Sequence, residues 1–263
     1  FQYAGEWPSP PLIDVAFFGA FATAAATTGV NTLETVEISS TGNSTDFGDL
    51  LSAMTYSPAG FSSDTRGIFA GGYNASAGYL NVVQFVTMAT RGNMADFGDL
   101  TLTAAFTGGC SNSTRGLVNG VDRAGSKSNV IDYVTIASTG NATDFGDLLS
   151  ETERPTACAS STRGIAAGGE SNSAFLNTIQ YYTIASTGNA SDFGDLLAGV
   201  TDTASTSNST RGLTAGGRNS SSDYTNIIQY VTIGSTGNAT DFGDLSVSVR
   251  YPSAFSDGHG GLG

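Results

Sequence analysis

Histidine, cysteine and positive charge are scarce in this chain of 263 residues, and each shortage excludes a class of function. The one histidine, His259, lies in a glycine-rich segment, so a catalytic triad or a copper site with several histidines would lack most of its groups. The two cysteines, Cys110 and Cys158, do not have the close spacing of zinc ligands. The sequence therefore predicts no metal and no cofactor.

The two cysteines stand at the same place relative to a Thr-Arg-Gly segment that recurs along the chain. Each lies five residues before the arginine of such a segment, Arg115 or Arg163. Equivalent strands of neighbouring repeat units are usually too far apart for the geometry of a disulfide. We therefore expect two small buried core residues rather than a disulfide.

Positive charge is the third shortage. Lysine and arginine together number 10 against 23 aspartate and glutamate residues, which gives a formal net charge of −13. Such a surface repels phosphate backbones and anionic membranes. No apolar run approaches the ~20 residues of a membrane-spanning helix. We expect neither a nucleic-acid partner nor membrane insertion.

What the sequence does contain is a decapeptide that occurs five times, with the form T-G-N-A-T-D-F-G-D-L. The glycines of its Gly-Asn pairs are 48 to 50 residues apart. A fixed period of this length indicates one structural unit repeated, so the motif describes a scaffold before it describes a site. The copies span 41–50, 91–100, 139–148, 187–196 and 236–245.

Each unit has the pattern of about four short strands and no helix. A T-R-G segment of small residues ends in a glycine pair, as at 162–169, and a β-branched and aromatic strand follows, as at 177–184. Apolar side chains fall on both faces of that strand, which is typical of a sheet covered on both sides. Radial stacking of such sheets predicts an all-β fold, a five-bladed β-propeller, with an open β-solenoid as the alternative.

The two ends of the chain predict how the ring closes. Residues 1–14 form an extended lead-in, and the chain then enters the first blade at its second strand. Residues 246–256 supply the missing first strand and close the ring by completing the N-terminal blade. The predicted blades are 15–50 with 246–263, then 51–100, 101–148, 149–196 and 197–245.

The units resemble kelch-type blades. The glycine pairs at 71–72, 168–169 and 216–217 match the pair that closes the second kelch strand, and 177–181 match the third strand. Kelch blades carry a tryptophan where this chain has the phenylalanine of D-F-G-D-L. The complete repeat sequence is more similar to the kelch-like repeats of structural and fibre-like proteins of tailed phages, especially marine phages. The resemblance covers about residues 15–263. It implies a virion or extracellular location, with other virion subunits or a cell-surface glycan as partners.

The residues that recur from one copy of the repeat to the next are interpreted as structural. A calcium loop would need a denser run of oxygen ligands. We expect one aspartate to cap its turn, the other to pair with a T-R-G arginine, and the phenylalanine to pack between blades. These residues are Asp46, Phe47, Asp49, Asp96, Phe97, Asp99, Asp144, Phe145, Asp147, Asp192, Phe193, Asp195, Asp241, Phe242, Asp244, Arg66, Arg115, Arg163 and Arg211.

The loops after the T-R-G strands vary most between copies. Tyr79, Phe175 and Tyr224 stand at corresponding places there, beside serine and asparagine, and are the candidate ligand-binding residues. Such a composition suits contact with sugars or protein surfaces, although the rings could equally cover blade edges. The sequence thus predicts a non-enzymatic structural or adhesive module of a phage virion. The alternatives are a polysaccharide-active hydrolase, for which the carboxylates form no defined pair, and a pure assembly spacer.

Overall fold

The computed structural model describes residues 15–19, 29–56, 58–123, 126–254 and 256. Those residues form strands joined by turns and contain no helix, which confirms the predicted all-β class. β-Branched and aromatic residues fill the strands, while Gly, Asn and Ser fill the connections. The lead-in expected over 1–14 lies outside the described residues.

Twenty-two strands follow one another along the described part of the chain. They are β1 (Val15–Phe18), β2 (Val30–Glu37), β3 (Thr45–Met54), β4 (Ala59–Ser62), β5 (Arg66–Ala70), β6 (Tyr73–Asn74), β7 (Gly78–Thr87), β8 (Ala95–Ala104), β9 (Gly108–Ser111), β10 (Arg115–Arg123), β11 (Ser126–Thr135), β12 (Thr143–Thr152), β13 (Thr156–Ala159), β14 (Arg163–Ala167), β15 (Thr178–Thr183), β16 (Ser191–Asp195), β17 (Val200–Thr201), β18 (Ala204–Ser207), β19 (Arg211–Ala215), β20 (Arg218–Asn219), β21 (Thr225–Thr232) and β22 (Thr240–Val249).

These strands form one antiparallel sheet for each copy of the decapeptide. Sheet 1 has the order β1-β2-β3, sheet 2 β4-β5-β7-β8, sheet 3 β9-β10-β11-β12, sheet 4 β13-β14-β15-β16, and sheet 5 β18-β19-β21-β22. Two short strands add to this pattern, since β6 pairs with β7 and β17 with β20. The prediction of small sheets of about four strands is confirmed, and β1 takes the second-strand place of sheet 1 by pairing with β2.

The decapeptide opens the last strand of every sheet and carries a β-bulge. In sheet 3, Ile131 lies opposite Gly146 and Asp132 opposite Asp144, so the register shifts between the two pairs. The same shift recurs in the other four sheets. The bulge is where the glycine of D-F-G adopts a positive φ, +144° at Gly146.

The last strands of sheets 1, 2, 3 and 5 are longer than the decapeptide, which corrects four predicted boundaries. These strands end at Met54, Ala104, Thr152 and Val249 rather than at 50, 100, 148 and 245. β22 continues to Val249, which lies opposite Thr225 of β21. Residues 246–249 therefore belong to sheet 5 rather than to a strand that completes sheet 1. The pairing continues because these serine and valine residues are compatible with a strand and contain no proline or glycine to end it.

The first strands of sheets 2 to 5 lie side by side in a row. Ser207 Oγ donates to Ala159 O of the neighbouring strand at 2.8 Å, and Ser111 Oγ donates to Ser62 O at 2.8 Å. Ser256 Oγ continues the row by donating to Ser207 O at 2.7 Å. Among the described residues, no hydrogen bond joins the segment around Ser256 to β1.

A cavity of about 370 Å³ lies against this row of strands. Its lining includes small residues from four sheets and the C-terminal segment, among them Gly60, Gly109, Ala157, Ser205 and Ala254. Ala16 of β1 lines the same cavity, so all five sheets contribute to it.

The apolar cores lie between neighbouring sheets. Ile68 and Phe97 of sheet 2, for example, are buried in one cluster with Val118 and Val134 of sheet 3. Corresponding clusters join sheets 1 and 2, 3 and 4, and 4 and 5. Each middle sheet is thus covered on both faces, which explains why its strands carry apolar residues on both faces.

Candidate functional site

The decapeptide binds each sheet to the one before it through a repeated set of contacts, which we call a joint. Between sheets 3 and 4, Gly188 N donates to Phe145 O at 2.7 Å, and Ala190 N donates to Asp147 O at 2.8 Å. In return, Asp147 N donates to Asn189 Oδ1 at 3.1 Å. The same three hydrogen bonds form between sheets 1 and 2, 2 and 3, and 4 and 5.

A fourth hydrogen bond of each joint reaches a buried acceptor on the middle strand of the next sheet. Leu149 N donates to Gln180 Oε1 at 2.7 Å, and glutamines at equivalent positions accept in two other joints. In the joint between sheets 2 and 3 the acceptor is Asp132, which accepts from both the N–H and the hydroxyl of Thr101. Burial raises the pKa of Asp132, and these hydrogen bonds oppose the rise.

The T-R-G arginines bind carbonyl oxygens across the joints, which corrects the expected ion pairs. Arg115 Nη1 donates to Ile184 O of the next sheet at 2.8 Å, and its guanidinium lies 4.6 Å from the centre of the Tyr133 ring. Within the described residues no salt bridge joins a T-R-G arginine to a decapeptide aspartate. The ring holds the guanidinium against its own sheet and aims it at the carbonyl. The arginines that stack in the same way are Arg66, Arg163 and Arg211.

The decapeptide aspartates act locally. Gly146 N donates to Asp144 Oδ1 at 3.0 Å, and Gly243 N donates to Asp241 Oδ1 at 3.1 Å, so the first aspartate caps its turn in these two copies as expected. The described residues contain no group of three or more His, Cys, Asp or Glu side chains placed to hold a metal ion.

The three aromatic residues predicted to contact a ligand occupy matching places in sheets 2, 4 and 5. Each ends a short loop and lies opposite the residue that begins it. The backbone pairs are Tyr73 with Tyr79, Glu170 with Phe175, and Arg218 with Tyr224. Tyr224 is 54% exposed. The correspondence inferred from the sequence is therefore present in the backbone.

These loops lie along a continuous row of aromatic rings and arginines. At the sheet 2 end, the ring of Tyr73 contacts those of Tyr79 and Tyr56, with centroid distances of 5.2 and 5.5 Å. The Tyr56 ring lies 5.2 Å from that of Phe106, and Arg154 stacks over Phe106 at 4.2 Å. The row thus begins with four aromatic rings in contact and continues with a guanidinium group.

The row continues to sheet 5. Arg154 Nη1 donates to Tyr251 Oη at 2.7 Å, and Arg250 stacks over the same ring at 4.3 Å. Arg218 stacks over Phe175 at 4.7 Å. We call the whole set the aromatic–arginine strip, and it consists of Tyr56, Tyr73, Tyr79, Phe106, Arg154, Phe175, Arg218, Tyr224, Arg250 and Tyr251.

One buried carboxylate anchors the arginines of the strip. The Asp202 side chain is 1% exposed, and its oxygens lie 3.1 Å from Arg154 Nη1 and 2.9 Å from Arg250 Nε. Arg218 Nε lies 3.9 Å from the same carboxylate. Because a buried carboxylate is costly unless paired, the three arginines are held close to Asp202 while their faces remain against aromatic rings.

A second set of ion pairs extends this anchor. Lys127 Nζ lies 3.2 Å from Glu153 and 3.3 Å from Glu170, and Glu170 in turn lies 3.6 Å from Arg218. With Asp202 and its arginines, four cations and three carboxylates meet here. In a chain with 10 basic and 23 acidic residues, this region is locally rich in positive charge.

Sequence reasoning found the aromatic residues of three loops but missed Asp202 and its arginines as a group. A usable signal was their shared place in the repeat. Phe106, Arg154 and Tyr251 lie two residues after the last strands of sheets 2, 3 and 5, and Asp202 lies directly after β17. All four have a positive φ, between 55° and 59°. Comparing that turn position across the copies would have placed these residues side by side.

The cysteines lie beside the cavity and are not part of the strip. Both are buried and free, which confirms the expected core role. Cys110 Sγ lies 3.2 Å from Tyr182 Oη. Burial raises the pKa of Cys110 to about 11 and that of Cys158 to about 12. These thiols are therefore protonated and unreactive at neutral pH.

Comparisons with known proteins leave this geometry as the basis for assigning a function. No protein-family model matches the chain, and no curated protein matches it. In the described ranges there is also no helix that is long and apolar enough to cross a membrane.

Proposed function

We propose that this chain is a non-enzymatic structural or adhesive module that contacts a glycan through the aromatic–arginine strip. The observation that carries the proposal is the continuity of the strip across sheets 2 to 5, with several rings open to solvent. Tyr56, Tyr224 and Tyr251 are 49%, 54% and 55% exposed. Exposed rings in a continuous row are typical of contact surfaces, because isolated surface aromatics rarely align.

The chemistry of the strip suits a carbohydrate. An aromatic face packs against the apolar C–H face of a sugar ring, and a neighbouring guanidinium donates hydrogen bonds to sugar hydroxyls or carboxylates. Asp202 holds Arg154 and Arg250 close together, so their hydrogen-bonding groups are arranged before a ligand arrives. Such preorganisation lowers the entropic cost of binding.

The local charge favours an anionic glycan over a neutral one. Lys127, Arg154, Arg218 and Arg250 converge on the strip, whereas the chain as a whole carries a formal charge of −13. An acidic sugar approaching this molecule is repelled by most of its surface and attracted here. Electrostatic guidance of this kind concentrates binding on one face.

The virion setting belongs to the same proposal and rests on the resemblance of the repeat to kelch-like repeats of tailed-phage structural proteins. In that setting the five sheets are blades around the cavity, and the strip faces a host glycan or a neighbouring subunit. The placement of Ser256 beside Ser207 supports a C-terminal segment that occupies a first-strand position, as ring closure requires. A closed five-bladed ring is the finer form of this architecture.

Binding to an array of acidic and neutral glycans tests the function. Tyr56→Ala and Tyr224→Ala remove exposed rings, and we expect each to weaken binding about tenfold. Leu149→Ala is the matched control, because Leu149 is 50% exposed and lies outside the strip. Equal losses in all three variants, or no binding by the wild type, would refute the glycan role.

The same preparation separates the alternatives. A hydrolase would release reducing ends from a bound polysaccharide, and a single carboxylate substitution would abolish the release. A pure assembly spacer would bind no glycan and would be found at a fixed position in purified particles. Binding without turnover is the result that we expect.

A further inference from the structure

The residue that follows each decapeptide varies together with the buried acceptor that it binds on the next sheet. Three joints combine a leucine with a glutamine, and these pairs are Leu51 with Gln84, Leu149 with Gln180, and Leu197 with Gln229. The fourth joint combines Thr101 with Asp132, whose carboxylate accepts from the N–H at 2.9 Å and from the hydroxyl at 2.8 Å. The acceptor is thus an amide where the donor residue has no hydroxyl, and a carboxylate where a hydroxyl supplies a second hydrogen bond.

Sheets 5 and 1 contain a fifth pair of this kind. Ser246 directly follows the decapeptide of sheet 5 and therefore has the place of the donor. Glu34 lies opposite Asp46 in sheet 1, as Asp132 lies opposite Asp144 in sheet 3, so Glu34 has the place of the acceptor. A hydroxyl residue again corresponds to a carboxylate. The pairing that holds in the four joints therefore extends to the last and the first sheet.

Glu34 has an oxygen left for this contact. Its Oε2 accepts from Ser44 Oγ at 2.9 Å, and no donor reaches its Oε1 within the described residues. Glu34 is half-buried, whereas the acceptors of the four joints are buried under the preceding sheet. If β22 covered Glu34 in the same way, the hydroxyls of Ser44 and Ser246 would supply the donors that a buried carboxylate requires.

Other groups of a joint are also present on these two sheets. The guanidinium of Arg211 stacks on an aromatic ring at 4.5 Å, but it makes no hydrogen bond to a carbonyl in the described ranges. Its counterpart Arg163 donates to Ile233 O of the next sheet, and the carbonyl at that place in sheet 1 belongs to Ile38. Phe242 of sheet 5 and Ile38 are 53% and 50% exposed, so the two surfaces are uncovered.

The C-terminal segment makes sheet 1 of the same chain the neighbour of sheet 5. Ser256 donates to Ser207 O of sheet 5, and it lines the same cavity as Ala16 of sheet 1. The sequence P-S-A-F-S at 252–256 resembles P-A-G-F-S at 58–62, which contains the first strand of sheet 2. The segment therefore has the place of a first strand beside sheet 5, and sheet 1 is the sheet whose order β1-β2-β3 lacks one.

We propose that sheet 5 binds sheet 1 of the same chain along a seam, in which Ser246 donates its N–H and its hydroxyl to the carboxylate of Glu34. The inference rests on the closed ring of the proposed function and names the side chains that close it. The seam is weaker than the four joints, because closing it also orders the two ends of the chain. It therefore opens and recloses, and the described residues show it open.

Converting the pair into a leucine–glutamine pair tests the seam. Ser246→Leu removes a hydroxyl donor from the Glu34 carboxylate, and we expect the melting temperature to fall by about 3 °C. Adding Glu34→Gln recreates the combination found in three joints, so the double variant should melt within about 1 °C of the wild type. Thr101→Leu is the positive control and should cause a larger fall, because its hydroxyl donates to Asp132 across a joint.

Ser248→Leu is the matched control on the same strand. Its equivalents Thr103 and Glu151 stay exposed although another sheet follows theirs, so this substitution should not lower the melting temperature. Additive effects of Ser246→Leu and Glu34→Gln would overturn the proposal. A Ser246→Leu variant that melts like Ser248→Leu would overturn it as well.

Sedimentation of the same proteins identifies the sheet that Ser246 meets. The shifts should occur in a monomer and should not depend on protein concentration. Shifts confined to oligomers at high concentration would overturn a seam within one chain. No glycan takes part in these measurements, so failure of the glycan role and failure of the seam are separate results.

Discussion

At the scale of single residues, one position of the repeat keeps its backbone role while its side chain changes. Gln180 and Gln229 each accept the N–H that follows the decapeptide of the preceding sheet. Asp132 does the same with a carboxylate that is one methylene shorter, and Thr101 donates both its N–H and its hydroxyl to it. The position thus requires a buried side-chain oxygen that can accept this hydrogen bond. A carboxylate is tolerated there because two donors, the N–H and the hydroxyl of Thr101, face it.

The buried thiols predict how stability responds to alkaline pH. Burial raises the pKa of Cys110 to about 11 and of Cys158 to about 12, from an ordinary value near 9. The folded state therefore holds these protons more tightly than the unfolded state. Their contribution to stability is complete below pH 9 and is lost as the pH rises through 9 to 12, by about 1.4 kcal/mol per pH unit for each thiol.

Urea unfolding of the wild type and of the Cys110→Ala/Cys158→Ala double variant between pH 7 and 11 measures this contribution. We expect a free energy of unfolding that is flat to pH 8 and falls more steeply above pH 9 in the wild type than in the variant. Parallel slopes in the two proteins would contradict the assignment. A thiol reagent at pH 8 should react only after unfolding, since the native thiols are buried and protonated.

At the scale of elements, the fit between a bulged strand and the neighbouring turn depends on glycine. Gly146 and Gly243 have nearly the same φ, +144° and +142°, but only Gly146 lies against a following turn. Gly146→Ala and Gly243→Ala therefore share the cost of an unfavourable φ, about 1 kcal/mol or more. Gly146→Ala adds the collision with the Gly188 carbonyl, which we expect to cost about 2 kcal/mol further.

Urea unfolding of the two variants at low protein concentration measures the difference. Because the two substitutions are chemically the same, the difference isolates the contact between sheets 3 and 4. Equal losses of stability would mean that the turn moves aside at little cost. An even larger loss for Gly243→Ala would mean that β22 has a neighbour in solution.

The repeat made the strands and sheets predictable from the sequence. The contacts between side chains and groups distant in sequence could not be predicted. A period of about 50 residues and strands with apolar residues on both faces are enough to infer stacked four-stranded sheets. The partner of Arg115 is a carbonyl 69 positions away in sequence, and no local pattern indicates which carbonyl lies in reach. The strip was only half predictable for the same reason, since Arg154, Asp202 and Arg250 meet through the stacking of sheets.

At the scale of the whole molecule, stability should vary along the row of sheets. In repeat architectures each unit is stabilised mainly by its neighbours, so a unit with one neighbour is less stable than a unit with two. Sheets 2, 3 and 4 are covered on both faces by apolar clusters, while the described residues place no sheet on the outer face of sheet 5. Local opening should therefore begin at the ends of the row.

Hydrogen exchange followed by mass spectrometry measures this gradient at equivalent amides. Asp147 N–H donates to the Asn189 carboxamide, and Asp195 N–H donates to that of Asn238, whereas Asp244 N–H has no such acceptor among the described residues. In dilute protein we expect peptides containing Asp244 to exchange at least about tenfold faster than those containing Asp147, because opening β22 breaks no joint. Equal protection of both peptides in dilute protein would mean that Asp244 N–H has an acceptor in solution equivalent to those of Asp147 and Asp195.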